Sequence, residues 1–598
     1  MTSLKLVLVT GRSIRQGMFV EDKFSREYAE SVAIVKLDRK DMERLNIKEG
    51  DRVRVKSKFG EVIVKAVESK TSCEGVAFIP MGPWANMLTD PDTKGSGMPT
   101  LKGIEVEVSP TTKEVSPIEV LIEKTYGKKV LREAKSIPLN PGGNGTKTIK
   151  YVTCGFCGCL CDDLEVTVSG NKIVSVRNAC ALGRSKILNY HENRVLSPYI
   201  REGGTLREVS LEEAIKRASE ILVEAKYPLL FGWSCTSVEA IKRGLELAEL
   251  VGGVIDNTSV ICHGPSIQAL QEVGMVTSTL GKVKNYADLI IYWGCNPSNA
   301  HPRHMTRYSA LSRGVYRKSR KERKVIVVDV RYTDTARLAD LFIRVKPGHD
   351  YELVSALRMV VRGYDVEFKE VGEVPVEQIY KLADMMMSCK FGVIFYGLGI
   401  TMTAGKSRNI EEMSRLVQDL NEWTKFILIP MRGHYNVTGT NQAFAWITGY
   451  PYSIDFSRGY PRYNPGVTSA TDLLFNGDVD AALIVASDPV AHFPRDYVKH
   501  LLEIPLITID PKWSITASVS DVIIPSAIVG VECGGTAYRM DKVPLRMKRV
   551  VESPCPMARI QSQEHVMRRV VDPPEGILPD YKILDLIISE VKKLKGFG

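Results

Sequence analysis

Long apolar runs are missing from this 598-residue chain: no stretch approaches the roughly 20 residues that a membrane-spanning helix needs. The opening MTSLKLVLVTGRS has a short apolar run and one lysine. It lacks the longer apolar segment and small-residue cleavage site of a secretory signal, so a cytoplasmic location with no membrane span is expected. A strong excess of one charge is missing too. The net +10 is spread along the chain, and no basic run is long enough to form a nucleic-acid-binding arm. Internal repeats and low-complexity tracts are absent, as is any HxH pair of the zinc-hydrolase kind. What remains is ordinary globular composition, 44% hydrophobic and 25% charged, with chain enough for roughly four domains.

The twelve cysteines are unevenly placed. Seven stand apart, Cys262 among them, whereas Cys154, Cys157, Cys159, Cys161 and Cys180 cluster. A disulfide scaffold spreads its cysteines along a short secreted chain, so metal binding or catalysis is the better reading here. The spacing Cys154-x2-Cys157-x3-Cys161-x18-Cys180 lets a tight loop wrap three corners of a four-iron cubane while a remote residue closes the fourth. A zinc ribbon, which usually shows two symmetrical knuckles, and metal-free reactive thiols are the other readings. Cys159 is the extra, because its neighbours already satisfy the spacing.

Before the cluster, VAIVKL, RVRVKS, EVIVKAV, GVAFIP and GIEVEVS are short β-branched runs divided by turns such as Glu49-Gly50-Asp51, with a short helix around Asp41. They predict a small closed barrel over residues 1–130. SIPLNPGGNGTK at 136–147 marks a linker, 131–147. After the cluster, PLLFGW, LIIYWG, KVIVVDV, FGVIFYG, FILIPM, AALIVAS and LITIDP alternate with amphipathic stretches, which predicts parallel sheets covered on both faces. Ligands of such sheets sit beyond the carboxyl ends of the strands.

CGFCGCLCDDLEVTVSGNKIVSVRNACALGRSKI resembles the cluster segment of the molybdenum/tungsten bis-pterin oxidoreductases, the group that contains formate dehydrogenases. ICHGPS at 261–266, ADLIIYWGCNP at 287–297, VVDVRYTDTARLAD at 327–340, KPGHD at 346–350, MRGHYNVTG at 431–439 and DVIIPSAIVGVECGGTAYRMD at 521–541 extend the match. Within that group residues 148–598 are most similar to the catalytic subunit of archaeal formylmethanofuran dehydrogenases, enzymes of methanogenic C1 metabolism. VTGRSIRQG at 9–17 and GPWANMLTDPDTKGSGMPTLKG at 82–103 separately resemble the pterin-dinucleotide-binding subunit of the same enzyme. In the wider family such a barrel comes last, so the chain reads as two subunits fused in permuted order.

The resemblance implies an α/β fold class. An N-terminal double-psi β-barrel (1–130) is followed by a small Fe-S domain (148–200) and two interleaved, doubly wound α/β domains (201–598) of the molybdopterin oxidoreductase fold. It implies a [4Fe-4S] cluster on Cys154, Cys157, Cys161 and Cys180, and two molybdopterin guanine dinucleotides with tungsten or molybdenum. Cys262, by itself readable as a buried structural cysteine, becomes the protein ligand to the metal. Arg432 holds formate or CO2, or else a pterin phosphate, and His263 carries a proton or only orients. Lys186 lies between cluster and pterin unless it is a solvated helix lysine. Cofactor-binding candidates at strand ends are Asn296, Asp329, Arg331, Gly348, Asp350, Gly397, Gly399 and Asp488, with Thr10, Gly11, Arg12, Trp84 and Asn86 closing from the barrel. The expected reaction is two-electron reduction of CO2 to formate. Formate would pass to an amidohydrolase-like partner and electrons would arrive from a polyferredoxin or other iron–sulfur subunits, with no nucleic acid involved. A stand-alone formate dehydrogenase and a non-catalytic subunit of a formyltransferase/hydrolase complex are the alternatives.

Overall fold

The computed structural model describes residues 3–69, 71, 73–141, 145–551 and 577–597. Residues 142–144 of the expected linker, and Cys555, lie outside them. The chain divides into two compact units, and both are discontinuous in sequence. The first comprises Met1–Ser13, Ser31–Val115 and Ile261–Gly433; the second comprises Ile14–Glu30, Ser116–Val260 and His434–Gly598.

In the first unit six strands close into a barrel: β1 (Leu4–Gly11), β2 (Ile34–Leu37), β3 (Arg52–Lys56), β4 (Glu61–Glu68), β5 (Val76–Pro80) and β6 (Ile104–Pro110), in the order β1-β5-β2-β4-β3-β6. β1 runs parallel to β5 and β2 to β4, while the other neighbours are antiparallel. Alternation sets which face is inside. In RVRVK, Val53 and Val55 point inward, and in EVIVKAVE, Val62, Val64 and Ala66 do so. The strand β1 was not among the predicted runs, because LKLVLVTG reads as an undivided apolar start. Its Leu6 and Leu8 are nonetheless core residues. The helix near Asp41 is Arg39–Leu45, capped by the Asp38 carboxylate and ended by Asn46 in the left-handed region.

The same unit holds five parallel strands in the order Leu341–Arg344, Lys324–Asp329, Leu289–Trp293, Phe391–Tyr396, Lys425–Pro430. Their continuous apolar runs are buried among helices Asp350–Val361, Val376–Ser388 and Lys406–Leu420. Chain order reverses between Leu289–Trp293 and Phe391–Tyr396. Their carboxyl ends, where Gly294 and Gly397 follow, are therefore the topological switch point at which sheets of this kind bind ligands.

In the second unit a nine-stranded sheet carries five parallel central strands: Val522–Pro525, Leu506–Asp510, Ala481–Val485, Pro228–Gly232 and Val254–Asn257. A three-stranded antiparallel sheet, Lys147–Val152, Leu164–Ser169 and Lys172–Arg177, flanks the cysteine loop. All seven predicted apolar runs form strands across the two units. Residues 14–30 and 116–130, expected with the barrel, cluster with the second unit instead. The expected linker is partly tied down there: Leu131 N donates to Ser518 O and Ile137 N to His191 O, both at 2.9 Å, and Ile137 is buried.

A fully buried charge pair of the second unit joins Arg194 with Glu532 through two bonds of 2.6 and 3.0 Å. Arg194 also donates to Pro511 O and Ser526 O, and Glu532 accepts from Ile528 N. Removing one partner strands the other charge in the interior. Glu532→Ala is therefore expected to destabilise this unit by about 3–5 kcal/mol, read as a lower urea-unfolding midpoint. An unaltered midpoint contradicts this account of the pair.

Candidate functional site

Cys262 lies at the end of an apolar stretch, two residues before helix Gly264–Val273, whose first turn carries Pro265 and whose N-terminal dipole favours a thiolate. Burial pushes the Cys262 thiol up, while the Arg432 and Arg12 guanidiniums beside it pull the other way. Arg432 is itself desolvated. Burial lowers its pKa, and the Cys262 and Tyr396 groups partly restore it. A buried cysteine is thus set next to two cations, one from the barrel and one from the loop after strand Lys425–Pro430.

That loop is pinned on three sides. Met431 N donates to Tyr396 O at 2.8 Å. His263 Nε2 lies 3.2 Å from Met431 O, and His301 Nε2 lies 2.8 Å from Arg432 O. A carbonyl only accepts, so each imidazole carries its proton on Nε2. His263 Nδ1 then accepts from the Ser266 hydroxyl at 2.9 Å, and the ring stacks edge-on against Tyr396. Burial, then the Arg432 charge, drives His263 well below the usual histidine range, and burial takes His301 to about 4. Both rings are neutral. Of the two roles expected for His263, its geometry favours orientation, because both nitrogens are engaged within the fold. His301 was missed in the sequence; its only signal was the Ala300-His301-Pro302 turn after Gly294-Cys295-Asn296-Pro297.

The expected cofactor residues separate into groups. At the reversal point, Asn296 Oδ1 accepts from Thr335 at 2.7 Å. Asp350 opens helix Asp350–Val361, accepts the Trp293 indole N–H at 2.8 Å and is raised by burial to about 7. Asp329 ends its strand near Arg331 and Lys102. The Arg331 guanidinium lies over the Phe78 ring at 4.2 Å. Lys102, not anticipated, is buried; burial and Arg331 lower it to about 7. Gly348 adopts a positive φ of 87° with open space around it. Trp84 is buried with its indole N–H lacking a hydrogen-bond partner, and Asn86 is buried nearby in sequence.

Other expected residues have partners or close neighbours within the chain. Gly397 and Gly399 are glycines because two loops pack closely: a Cβ at 399 would stand 2.6 Å from Gly294 O, and one at 397 would stand 2.5 Å from the Cys295 Cβ. Gly11 makes room for the Phe78 ring. The Thr10 hydroxyl is engaged inside the barrel, donating to Leu101 O at 2.9 Å. Asp488 is engaged within its own unit. It accepts from Ile515 N, Thr516 N and the Thr516 hydroxyl, and pairs with Lys23 at 2.9 Å.

In the second unit the loop between strands Lys147–Val152 and Leu164–Ser169 gathers Cys154, Cys157, Cys159 and Cys161, and Cys180 stands at the N-terminus of helix Ala181–Leu188. Burial, then the neighbouring Cys161, Cys157 and Cys180 groups, push the Cys154 thiol well up. A Cβ at Gly183 would lie 2.7 Å from Cys154 Sγ and 4.0 Å from Cys180 Sγ, so both sulfurs converge on the face that this glycine leaves bare. Among the described residues no group of three His, Cys, Asp or Glu side chains is set to hold a single metal ion. Lys186 sits on the same helix, partly buried and paired with Glu21 at 3.2 Å. Burial opposes its charge, but Glu21, with Cys235 and Cys154, leaves it raised. The solvated-lysine alternative does not describe it. No helix among the described residues is long and apolar enough to cross a membrane.

A family model for the molybdopterin oxidoreductases matches residues 194–588, and one for the molybdopterin dinucleotide-binding domain matches residues 6–105. The B subunit of the tungsten-containing formylmethanofuran dehydrogenase 2 of Methanocaldococcus jannaschii is 49% identical over 452 residues, 75% of this chain and 99% of that protein. The protein FwdD of the same organism is 44% identical over 130 residues, 21% of this chain and 96% of that protein. A chain of the X-ray structure of the formyltransferase/hydrolase complex from Methylorubrum extorquens in complex with methylofuran is similar in fold. Its TM-score is 0.52 at 22% identity, and the match covers 67% of this chain and all of that one.

The Asp488 network has a pH signature. Burial alone raises the carboxyl, but Lys23, His492 and the Thr516 bond together hold it at about 2, against an ordinary 3.8. Its stabilisation is therefore present above 3.8 and lost as pH falls through about 2. Asp488→Asn is expected to flatten the loss of urea resistance across that window by on the order of 2 kcal/mol. Parallel profiles for wild type and variant count against the network.

Proposed function

This chain belongs to the molybdopterin oxidoreductase family and, within it, to the formylmethanofuran dehydrogenase B subunits; from that premise we propose that it interconverts CO2 and formate at a tungsten bis-pterin centre held by Cys262. The observation that carries the reading is the buried Cys262 sulfur beside the Arg432 guanidinium, on a loop that the fold holds rigid. The metal, when bound, supplies the two-electron redox chemistry. The chain's own groups do the rest. Arg432 offers forked donors that match a carboxylate, and it meets negative charge as that charge moves onto oxygen. Burial of the loop keeps water from competing for those donors. Arg12 adds positive charge from the barrel side.

The residues fit the implied groups. The unpartnered, buried Trp84 indole N–H is a donor awaiting an acceptor, and dinucleotide phosphates are acceptors. Asn296, Asp329, Arg331, Gly348 and Asp350 would supply further contacts around the switch point of the five-stranded sheet. The bare face of Gly183, on which the Cys154 and Cys180 sulfurs converge, supports a [4Fe-4S] group on Cys154, Cys157, Cys161 and Cys180. Electrons for CO2 reduction would enter there from iron–sulfur partners, past Lys186 and Glu21. Formate would leave for a hydrolase-type partner that joins it to methanofuran.

Metal analysis of anaerobically purified protein is expected to find about four irons and about one tungsten or molybdenum per chain; zinc alone, or no metal, overturns the reading. Arg432→Ala is expected to keep that metal while losing about 10²-fold or more in formate turnover. A variant with undiminished turnover shows that Arg432 does not hold the substrate. Co-purification of a hydrolase-like subunit separates this enzyme from a stand-alone formate dehydrogenase, which would oxidise formate without one.

A further inference from the structure

Two imidazoles gripping consecutive carbonyls is an uncommon use of buried polar groups, and here the carbonyls belong to Met431 and Arg432. His301 comes from the loop beyond strand Leu289–Trp293, whereas His263 heads helix Gly264–Val273, so the arginine turn is held from two elements independent of its own strand. His301 is buried, with 4% of its surface exposed, and its backbone is itself anchored: His301 N donates to Pro297 O at 2.9 Å and His304 N to His301 O at 2.8 Å. We propose that His301 is a positioning residue for the reaction, fixing through its 2.8 Å bond to the Arg432 carbonyl where the Arg432 guanidinium stands over Cys262.

The physical reason is that an arginine side chain has four rotatable bonds, and its aim is only as good as its backbone anchor. The Arg432 peptide lies beyond the end of strand Lys425–Pro430, and His301 restrains its carbonyl there. A neutral ring is needed, because a third positive charge beside Arg432 and Arg12 would repel both, and the ring's low pKa of about 4 keeps it uncharged. His263 performs the matching task one residue earlier. Together they restrain the two peptide planes that flank the Arg432 Cα: His263 holds Met431–Arg432 and His301 holds Arg432–Gly433.

The inference rests on the reading of Arg432 as the group that holds formate, and two measurements on the metal-loaded enzyme keep the two separable. The first is formate oxidation with a dye acceptor, alongside metal content. His301→Gln retains an N–H donor of similar reach and is expected to stay within about threefold of the wild-type formate KM. His301→Leu removes the donor and is expected to raise KM about tenfold or more at unchanged metal content, since misplacement on the order of 1 Å can cost about 10²-fold. The second is hydrogen exchange of the segment 426–433, whose Met431 amide is bonded to Tyr396 O. It is expected to quicken in His301→Leu and not in His301→Gln, whatever the activity. Should His301→Leu fail to load metal, His301→Asn, with the same amide on a shorter stem, takes its place with the same expectation. A donor-less or shortened variant that keeps wild-type KM and wild-type exchange overturns the proposal. If the wild type does not oxidise formate while exchange still responds, the functional reading fails and the clamp stands.

Discussion

Keeping a guanidinium charged inside the protein, next to a buried sulfur, is the constraint to which the first unit is built. Burial lowers the Arg432 pKa and raises that of Cys262, and each group partly restores the charged form of the other. Such an arrangement is stable only if the backbone cannot drift, because a charge displaced from its partner in low dielectric loses most of what offsets its desolvation. Three hydrogen bonds to the 431–432 turn meet that demand. The rest of the loop architecture serves them. Gly397 and Gly399 let the loop after strand Phe391–Tyr396 close onto Gly294, which sets the path of the chain that carries His301.

The second unit faces a different problem: thiols crowded together in the interior with few cations near. Part of its answer comes from residues 14–30, which leave the barrel and join this unit. Helix Ile14–Phe19 lies on Ala181–Leu188, where Gly17 faces Leu182 and the Ser185 hydroxyl donates to Met18 O at 2.6 Å. The segment beyond it delivers Glu21 to Lys186 and Lys23 to Asp488. An excursion from a dinucleotide-binding barrel thus completes a charge network around the cysteine loop. That gives a physical use to having both parts in one chain.

Much of the fold was legible because its signals are local. Alternating valines in RVRVK and EVIVKAVE announced barrel strands, and seven continuous apolar runs announced parallel ones. The cysteine spacing and Cys262 were visible as sequence patterns, and the likeness to bis-pterin oxidoreductases gave them roles. Strand β1 was hidden by its lack of a preceding turn. Gly397, Gly399, Gly11, Thr10 and Asp488 were read as cofactor contacts, and each also answers to a neighbour distant in sequence: the Gly294 loop, the Phe78 ring, the Leu101 carbonyl and the Thr516 helix end.

By itself, then, the sequence determined the element types, the cysteine group and the chemistry of the Cys262 turn, since these depend on residue type and short spacing. Only the tertiary structure decided which polar groups are free to act. Hydrogen-bond partners such as His301 for the Arg432 carbonyl, Glu21 for Lys186 and Lys23 for Asp488 lie 131, 165 and 465 residues apart. No periodicity spans such distances. A side chain's availability depends on what the folded chain has already bonded to it, and that is fixed when distant segments meet.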